Sequence, residues 1–305
     1  MPARRPVAAA VVAALIWGTS FPAMAVTLGP GVDADPFLLS ALRMGLAGLL
    51  AVGVLAFRGR LSLALFRNRW VWFLGGTNAL GFTLQHIGVS LNESSATTAL
   101  LVNTNLVFVA VLAVPLLGER LGSRKVAAVA AALFGLVALT TGFDPARLAK
   151  DSFVGDLFVF AAGGVWTLFI LGTKRATREL PPLDLSAAGL GVTALLLAPT
   201  ALLGDPAAFP PNALLGALYL GLVVTFPPLL LYTYSMGRLP ATMVSVLTFT
   251  EVLFAAVLGV LLLDEAFGPI TLLGGAFVLA AILLVAGEPT TSVSRTAPSR
   301  TGPGP

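Results

Sequence analysis

Long apolar runs alternate with short polar gaps along the whole chain. Ten runs approach the roughly 20 residues a helix needs to cross a bilayer core. They cover residues 7–28, 35–57, 70–90, 95–117, 124–142, 154–173, 184–204, 212–236, 241–263 and 268–287. Pro36, Pro182, Pro211, Pro240 and Pro269 fall in gaps or first turns, where a missing N–H costs nothing. Pro227-Pro228 fall inside the eighth run instead and predict a kink there. The first run, from Val7 to about Leu28, is too long for the apolar stretch of a signal peptide and reads as a span. The tail from Glu288 onward, rich in Ser, Thr, Pro and Gly, reads as disordered.

Composition sharpens this pattern into a class. Of 305 residues, 57% are hydrophobic and 10% are charged, against about 25% charged in soluble domains. With a mean hydropathy of +0.94, the chain reads as an all-α integral membrane protein. The runs are too long and too uniformly apolar for barrel strands. Eighteen Lys and Arg against fourteen Asp and Glu leave a net +4, which would hint at nucleic acid in a soluble protein. Here the cations cluster in alternate gaps. With the N-terminus in the cytoplasm, fifteen of the eighteen fall on that side, from Arg4 and Arg5 through Arg58, Arg60, Arg120 and Arg175 to Arg300. Arg147 and Lys150 fall outside and Arg43 lies within a span. A wrong span count would mix the two sides, so the positive-inside rule predicts ten helices, both termini cytoplasmic, in a cell membrane. Nucleic acid is not an expected partner; lipids are.

A repeat divides the chain. Pro115-Leu-Leu-Gly-Glu119-Arg-Leu-Gly closes the fourth run and Leu261-Leu-Leu-Asp-Glu265-Ala-Phe-Gly closes the ninth, 146 residues later. Trp17 and Trp166 are offset by 149. Five spans per half is an odd number, so the second half enters from the opposite side. Inverted repeats of this kind are a recurring design of secondary transporters, with the substrate held near midplane between the halves.

Charge and polarity inside spans single out candidate residues. A charged side chain at midplane costs about 2.5–3.5 kcal/mol on insertion scales. Glu251 lies near the middle of the ninth run, and the 146 offset places Asn105 at the same depth in the fourth. Glu251 reads as an amine-recognising or proton-carrying group, with a helix-tying structural role as the alternative. Arg43 reads as a carboxylate-binding cation, or else as a snorkelling side chain or the fixed partner of a carboxylate such as Asp35. Asn78 and Gln85 are seven apart and share a helix face. His86 beside them suits a proton relay or an ordinary hydrogen bond. Asn103 and Asn105 sit about 200° apart on a continuous helix, so only one is expected to face a given cavity. Trp17, Trp166 and Tyr232 lie away from the run ends and read as an aromatic lining or as interhelical packing. Trp70 and Trp72 read as interfacial belt residues. Asn92-Glu-Ser94 is a formal glycosylation sequon on a very short loop, best read as chance.

Other chemistry has little to stand on. There is no cysteine and only His86 as histidine, so disulfides, thiolate sites and multi-histidine metal centres are excluded. No phosphate loop or Gly-x-Ser-x-Gly is present. No cofactor and no enzymatic activity are expected.

These motifs together resemble the EamA-type permeases of the drug/metabolite transporter superfamily. The resemblance rests on Trp17-Gly18-Thr19-Ser20-Phe21, Arg43, Leu117-Gly118-Glu119-Arg120-Leu121, Glu251 and Leu263-Asp264-Glu265, in that order. It spans about residues 7–287. The sequence departs from the family at Val252 and Leu106, where the family usually has prolines that bend the helices. The resemblance implies a first five-helix repeat over 1–145, a second over 146–288, and a tail over 289–305. It also implies secondary transport, often export, of small metabolites such as amino acids, amines or drug-like compounds by alternating access. Proton coupling is left open, as is a homodimer. A facilitative channel or uniporter is the alternative.

Overall fold

Each apolar run folds as one helix or as two stacked half-helices. The computed structural model describes residues 4–28, 35–91, 95–148, 153–204, 210–263 and 268–287. Lys150, the sequon at Asn92–Ser94, the Asp264-Glu265 turn and the tail from Glu288 lie outside the described residues.

The first half comprises α1 (Arg4–Gly18), α2 (Ser20–Leu28), α3 (Pro36–Phe57), α4 (Leu63–Phe66), α5 (Arg69–Leu91), α6 (Ser95–Val102), α7 (Asn105–Leu117) and α8 (Ser123–Thr141). The second comprises α9 (Phe153–Ala176), α10 (Pro182–Leu197), α11 (Pro211–Leu222), α12 (Phe226–Met236), α13 (Ala241–Thr248), α14 (Thr250–Leu263) and α15 (Pro269–Ala286). Short 3-10 turns cover Pro145–Leu148 and Ala198–Leu203. Nine stretches of the described chain are long and apolar enough to cross a membrane. The remaining expected span is α5, 23 residues long, whose apolarity is diluted by Thr77, Asn78, Thr83, Gln85 and His86. Large side chains such as Leu49, 75% exposed, and Leu261, 70% exposed, form an outer surface suited to the apolar interior of a membrane.

Four spans are broken. Their breaks fall at Thr19, at Asn103–Thr104, at Val223–Thr225 and at Phe249. Side chains add hydrogen bonds to the carbonyls at these points, three of which also accept a backbone N–H. The Thr19 hydroxyl donates to Ile16 O at 2.6 Å, and the Thr104 hydroxyl to Leu101 O at 2.6 Å. Asn103 Nδ2 donates to Ala99 O at 2.8 Å, the Thr225 hydroxyl to Leu220 O at 2.7 Å, and the Thr248 hydroxyl to Ser245 O at 2.8 Å. Such bonds compete with the helical ladder, and in a dry medium they are what make a break affordable. The breaks in the fourth and ninth spans are 146 residues apart, the offset of the repeat, and neither contains a proline. In the eighth span Pro227 and Pro228 follow the break and occupy the first turn of α12, where no intrahelical N–H is needed.

The halves interlock. In terms of spans, six packs on three (α9 on α5) as one packs on eight (α1 on α12). Spans two and seven (α3, α10), four and nine (α7, α13) and five and ten (α8, α15) meet their own counterparts. Exchanging each span for the one five places on maps these principal contacts onto themselves. Glycine brings the last pair close: a Cβ on Gly135 would lie 2.7 Å from Gly274 O.

One face collects the basic loops. Arg60 forks onto Asp184 at 2.7 Å, a contact that raises its affinity for its proton, and Arg69 reaches Glu179 at 3.2 Å. Arg124 donates to Gly287 O at 3.4 Å, which ties the end of α15 to the same face. The expected Gly-Glu turn is also here. Gly118 adopts φ +70° to end α7, and the Glu119 carboxylate then accepts from the Ala241 N–H, from the Thr242 N–H at 3.3 Å and from the Thr242 hydroxyl at 3.0 Å. Lys174 donates to Met236 O at 2.7 Å and Leu239 O at 2.6 Å beside it.

Candidate functional site

The broken spans meet around a central cavity of about 350 Å³. Its walls come from both halves. Trp17, Ser20 and Met24 flank the first break; Asn103 and Asn105 lie at the second; Thr225 lies at the third, with Leu229 and Tyr232 after it; and Thr248, Phe249, Glu251 and Val252 lie at the fourth. Unbroken helices add Arg43 from α3, Asn78, Phe82 and Gln85 from α5, and Trp166, Phe169 and Ile170 from α9.

Eight of the nine candidates therefore reach one chamber: Glu251, Asn105, Trp17, Asn78, Arg43, Trp166, Tyr232 and Gln85. The ninth, His86, faces away and shares a hydrogen bond of 3.1 Å with Ser40 Oγ. Two expectations need correction. Asn103 and Asn105 both line the cavity, because the helix breaks between them and the 200° separation of a continuous helix no longer applies. Arg43 is not paired with Asp35. Asp35 is used as the N-cap of α3, accepting from Leu38 N–H at 2.8 Å, while Arg43 Nε donates to Thr225 Oγ1 at 3.0 Å.

The aromatic groups are arranged in two matching pairs. Trp17 and Tyr232 lie 5.5 Å apart between ring centroids, and Trp166 meets Phe82 edge-on at 5.1 Å. The two tryptophans are offset by 149 residues and their partners by 150, so the pairs are related by the repeat. Trp166 Nε1 donates to Gln85 Oε1 at 3.2 Å, and the Arg43 guanidinium lies 5.6 Å from the Phe82 centroid. Gly18 lets α1 close on α14, since a Cβ there would sit 3.0 Å from Glu251 O.

Polar capacity is left over. Asn78 Oδ1, the Tyr232 hydroxyl and the Ser245 hydroxyl are buried without a hydrogen-bond partner among the described residues, and all three residues line the cavity. Buried polar atoms are normally satisfied, so a cluster of exceptions marks where a ligand's own polar groups can bind. Among the described residues neither Arg43 nor Glu251 is in an ion pair within 4 Å. Glu251 sits in the first turn of α14 and Asn105 opens α7, where helix N-termini favour negative charge. The chamber thus offers a guanidinium, a carboxyl group, carbonyl and hydroxyl groups, and aromatic walls. Phe82, Thr225 and Ser245 escaped the sequence reading. Phe82 could have been found as the repeat mate of Tyr232, and Thr225 from its place just before Phe-Pro-Pro.

Known proteins resemble this chain along most of its length. The model of the EamA-like transporter family matches residues 4–141 and again 153–287. A protein of Archaeoglobus fulgidus named an uncharacterized transporter is 28% identical over 279 residues, covering 88% of this chain and 93% of its own length. A probable terminal-alkyne amino-acid exporter of Streptantibioticus cattleyicolor is 24% identical over 282 residues, covering 91% of this chain and 92% of its own. One solved crystal structure superposes with a TM-score of 0.78 at 22% identity, covering 92% of this chain and 97% of that one. That likeness concerns the fold alone.

Proposed function

Because this chain belongs to the EamA-like transporter family, we propose that it exports a small zwitterionic metabolite of the amino-acid class by alternating access. The observation that carries the proposal is the joint presence of Arg43 and Glu251 in one chamber, in no ion pair among the described residues. A zwitterion supplies the missing partners: its carboxylate for Arg43 and its ammonium for Glu251. Charge-assisted hydrogen bonds of this kind are about twice as strong as neutral ones. A cavity of about 350 Å³ falls at the low end of the ~300–1,000 Å³ of small-molecule sites. Trp17, Tyr232, Trp166 and Phe82 then pack an apolar side chain. The amino-acid exporter among the relatives favours the same class.

In this reading the repeats over 1–145 and 146–288 rock about the cavity while the termini stay in the cytoplasm. The Glu119 contacts, which cross from the first repeat to the second, hold the basic face shut, and Glu251 is the group through which a proton gradient would couple. The test compares release of amino acids by cells expressing the wild type, Glu251→Gln or Arg43→Gln at two external pH values. Saturable release of one compound by the wild type alone, with both variants impaired, is expected. Equal release by all three chains makes both charges structural and removes the site. Release that does not saturate favours a facilitative channel.

A further inference from the structure

A second opening lies on the basic face, away from the central chamber. It is a groove of about 790 Å³ between α5, α7 and α9. Its upper rim is cationic: Arg69 begins α5, Arg175 lies in the last turn of α9, and Arg178 follows it. Glu179 is the only carboxylate among the lining residues and is taken by Arg69 at 3.2 Å. Arg175 and Arg178 make no ion pair among the described residues. Below the rim the walls are apolar and face outward. Leu116 is 44% exposed, Leu168 47% and Phe73 38%. Leu168 lies two turns down α9 from Arg175, roughly 10 Å along the axis. The floor is tight, because Phe73 presses onto Gly172, where a Cβ would come within 2.3 Å of its ring.

A rim carrying two uncompensated guanidiniums above an outward apolar wall has the polarity of one phospholipid molecule. A soluble anion would use only the rim, and a zwitterionic lipid would bring no net charge to it. We propose that the groove binds one anionic glycerophospholipid of the adjoining leaflet, its phosphate held by Arg175 and Arg178 and its acyl chains laid along Leu116 and Leu168. Basic pockets between transmembrane helices suit such headgroups. The lipid would bridge the two repeats, since α5 and α7 belong to the first and α9 to the second.

The test is native mass spectrometry of the full chain in detergent with equal amounts of phosphatidylglycerol, phosphatidylethanolamine and phosphatidylcholine of identical acyl chains. The wild type is expected to retain phosphatidylglycerol preferentially. The Arg175→Gln/Arg178→Gln variant is expected to lose that preference by about tenfold or more, since each basic side chain near a surface contributes a severalfold effect. Arg238→Gln, on a guanidinium that lies 3.8 Å from the Tyr234 ring centroid instead, is expected to retain the preference. Equal retention of the three lipids by the wild type overturns the proposal without needing any variant. An unchanged preference in the double variant overturns it too. Displacement of phosphatidylglycerol by millimolar sn-glycerol 3-phosphate would show that the rim alone binds and that the occupant is a free anion, not a lipid.

Discussion

Glu119→Ala should loosen the start of the ninth span. The N-cap position of α13 is Pro240, which has no side chain to cap the helix. Glu119, over a hundred residues earlier, takes that role with one carboxylate, accepting from both first-turn amides and from the Thr242 hydroxyl. Loss of a capping side chain costs about 0.5–2 kcal/mol, and loss of a negative charge at a helix N-terminus a further ~0.3–1 kcal/mol. The terms overlap, so about 2 kcal/mol is the working figure. As local opening this corresponds to roughly thirtyfold faster amide exchange. Hydrogen exchange of the full chain in detergent, read over residues 241–245, measures it directly. Glu119→Gln keeps one acceptor oxygen and should fall between. Unchanged exchange in Glu119→Ala would refute the capping role and, with it, the sealing of the basic face.

Gly135→Val should destabilise the fold by about 1–3 kcal/mol through overpacking. Its Cβ would meet Gly274 O and Val278 Cγ2 at 2.7 Å, whereas Gly45→Ala, with nothing within 4 Å in the interior of α3, should keep or slightly raise the melting temperature. Equal melting of the two variants would contradict the close approach of α8 and α15. Tyr232→Phe should not lower thermal stability, because the hydroxyl has no partner to lose. If that hydroxyl binds substrate, transport affinity should still fall by about 1 kcal/mol, or some fivefold in KM; an unchanged KM would remove Tyr232 from the polar part of the site.

Period and charge made most of the fold legible. Apolar runs fixed the spans, and basic gaps fixed which ends lie together. The central chamber was nearly as readable, because Glu251, Arg43 and Asn78 are expensive in a membrane and stand out against their surroundings. What stayed hidden depended on the backbone leaving the helix. On a regular helix Asn103 and Asn105 cannot share a face, and only the break between them lets both line the cavity. The position of Thr225 before Phe-Pro-Pro marked a break, but its bond to Arg43 stayed hidden because Arg43 lies in the other half of the chain. Glu119 was legible as a repeat marker, but not as a cap, for the same reason. Arg175 and Arg178 were counted for orientation, and only packing showed that they overhang a groove.

The breaks in the fourth and ninth spans contain no proline, and that has a mechanical consequence. A proline would make a discontinuity permanent, because its ring has no N–H to return to the ladder. Here the discontinuity at Asn103–Thr104 is held by a side-chain amide and a hydroxyl, and the one at Phe249 by the Thr248 hydroxyl. Each such bond is worth only about 0.5–1.5 kcal/mol. Rezipping exchanges these side-chain bonds, and short backbone bonds such as Thr104 N–H to Leu101 O and Phe249 N–H to Val246 O, for the regular ladder. The two joints that frame the chamber therefore carry no covalent bar to closing, and under the proposed alternating access the length of each half-helix becomes a variable of the cycle.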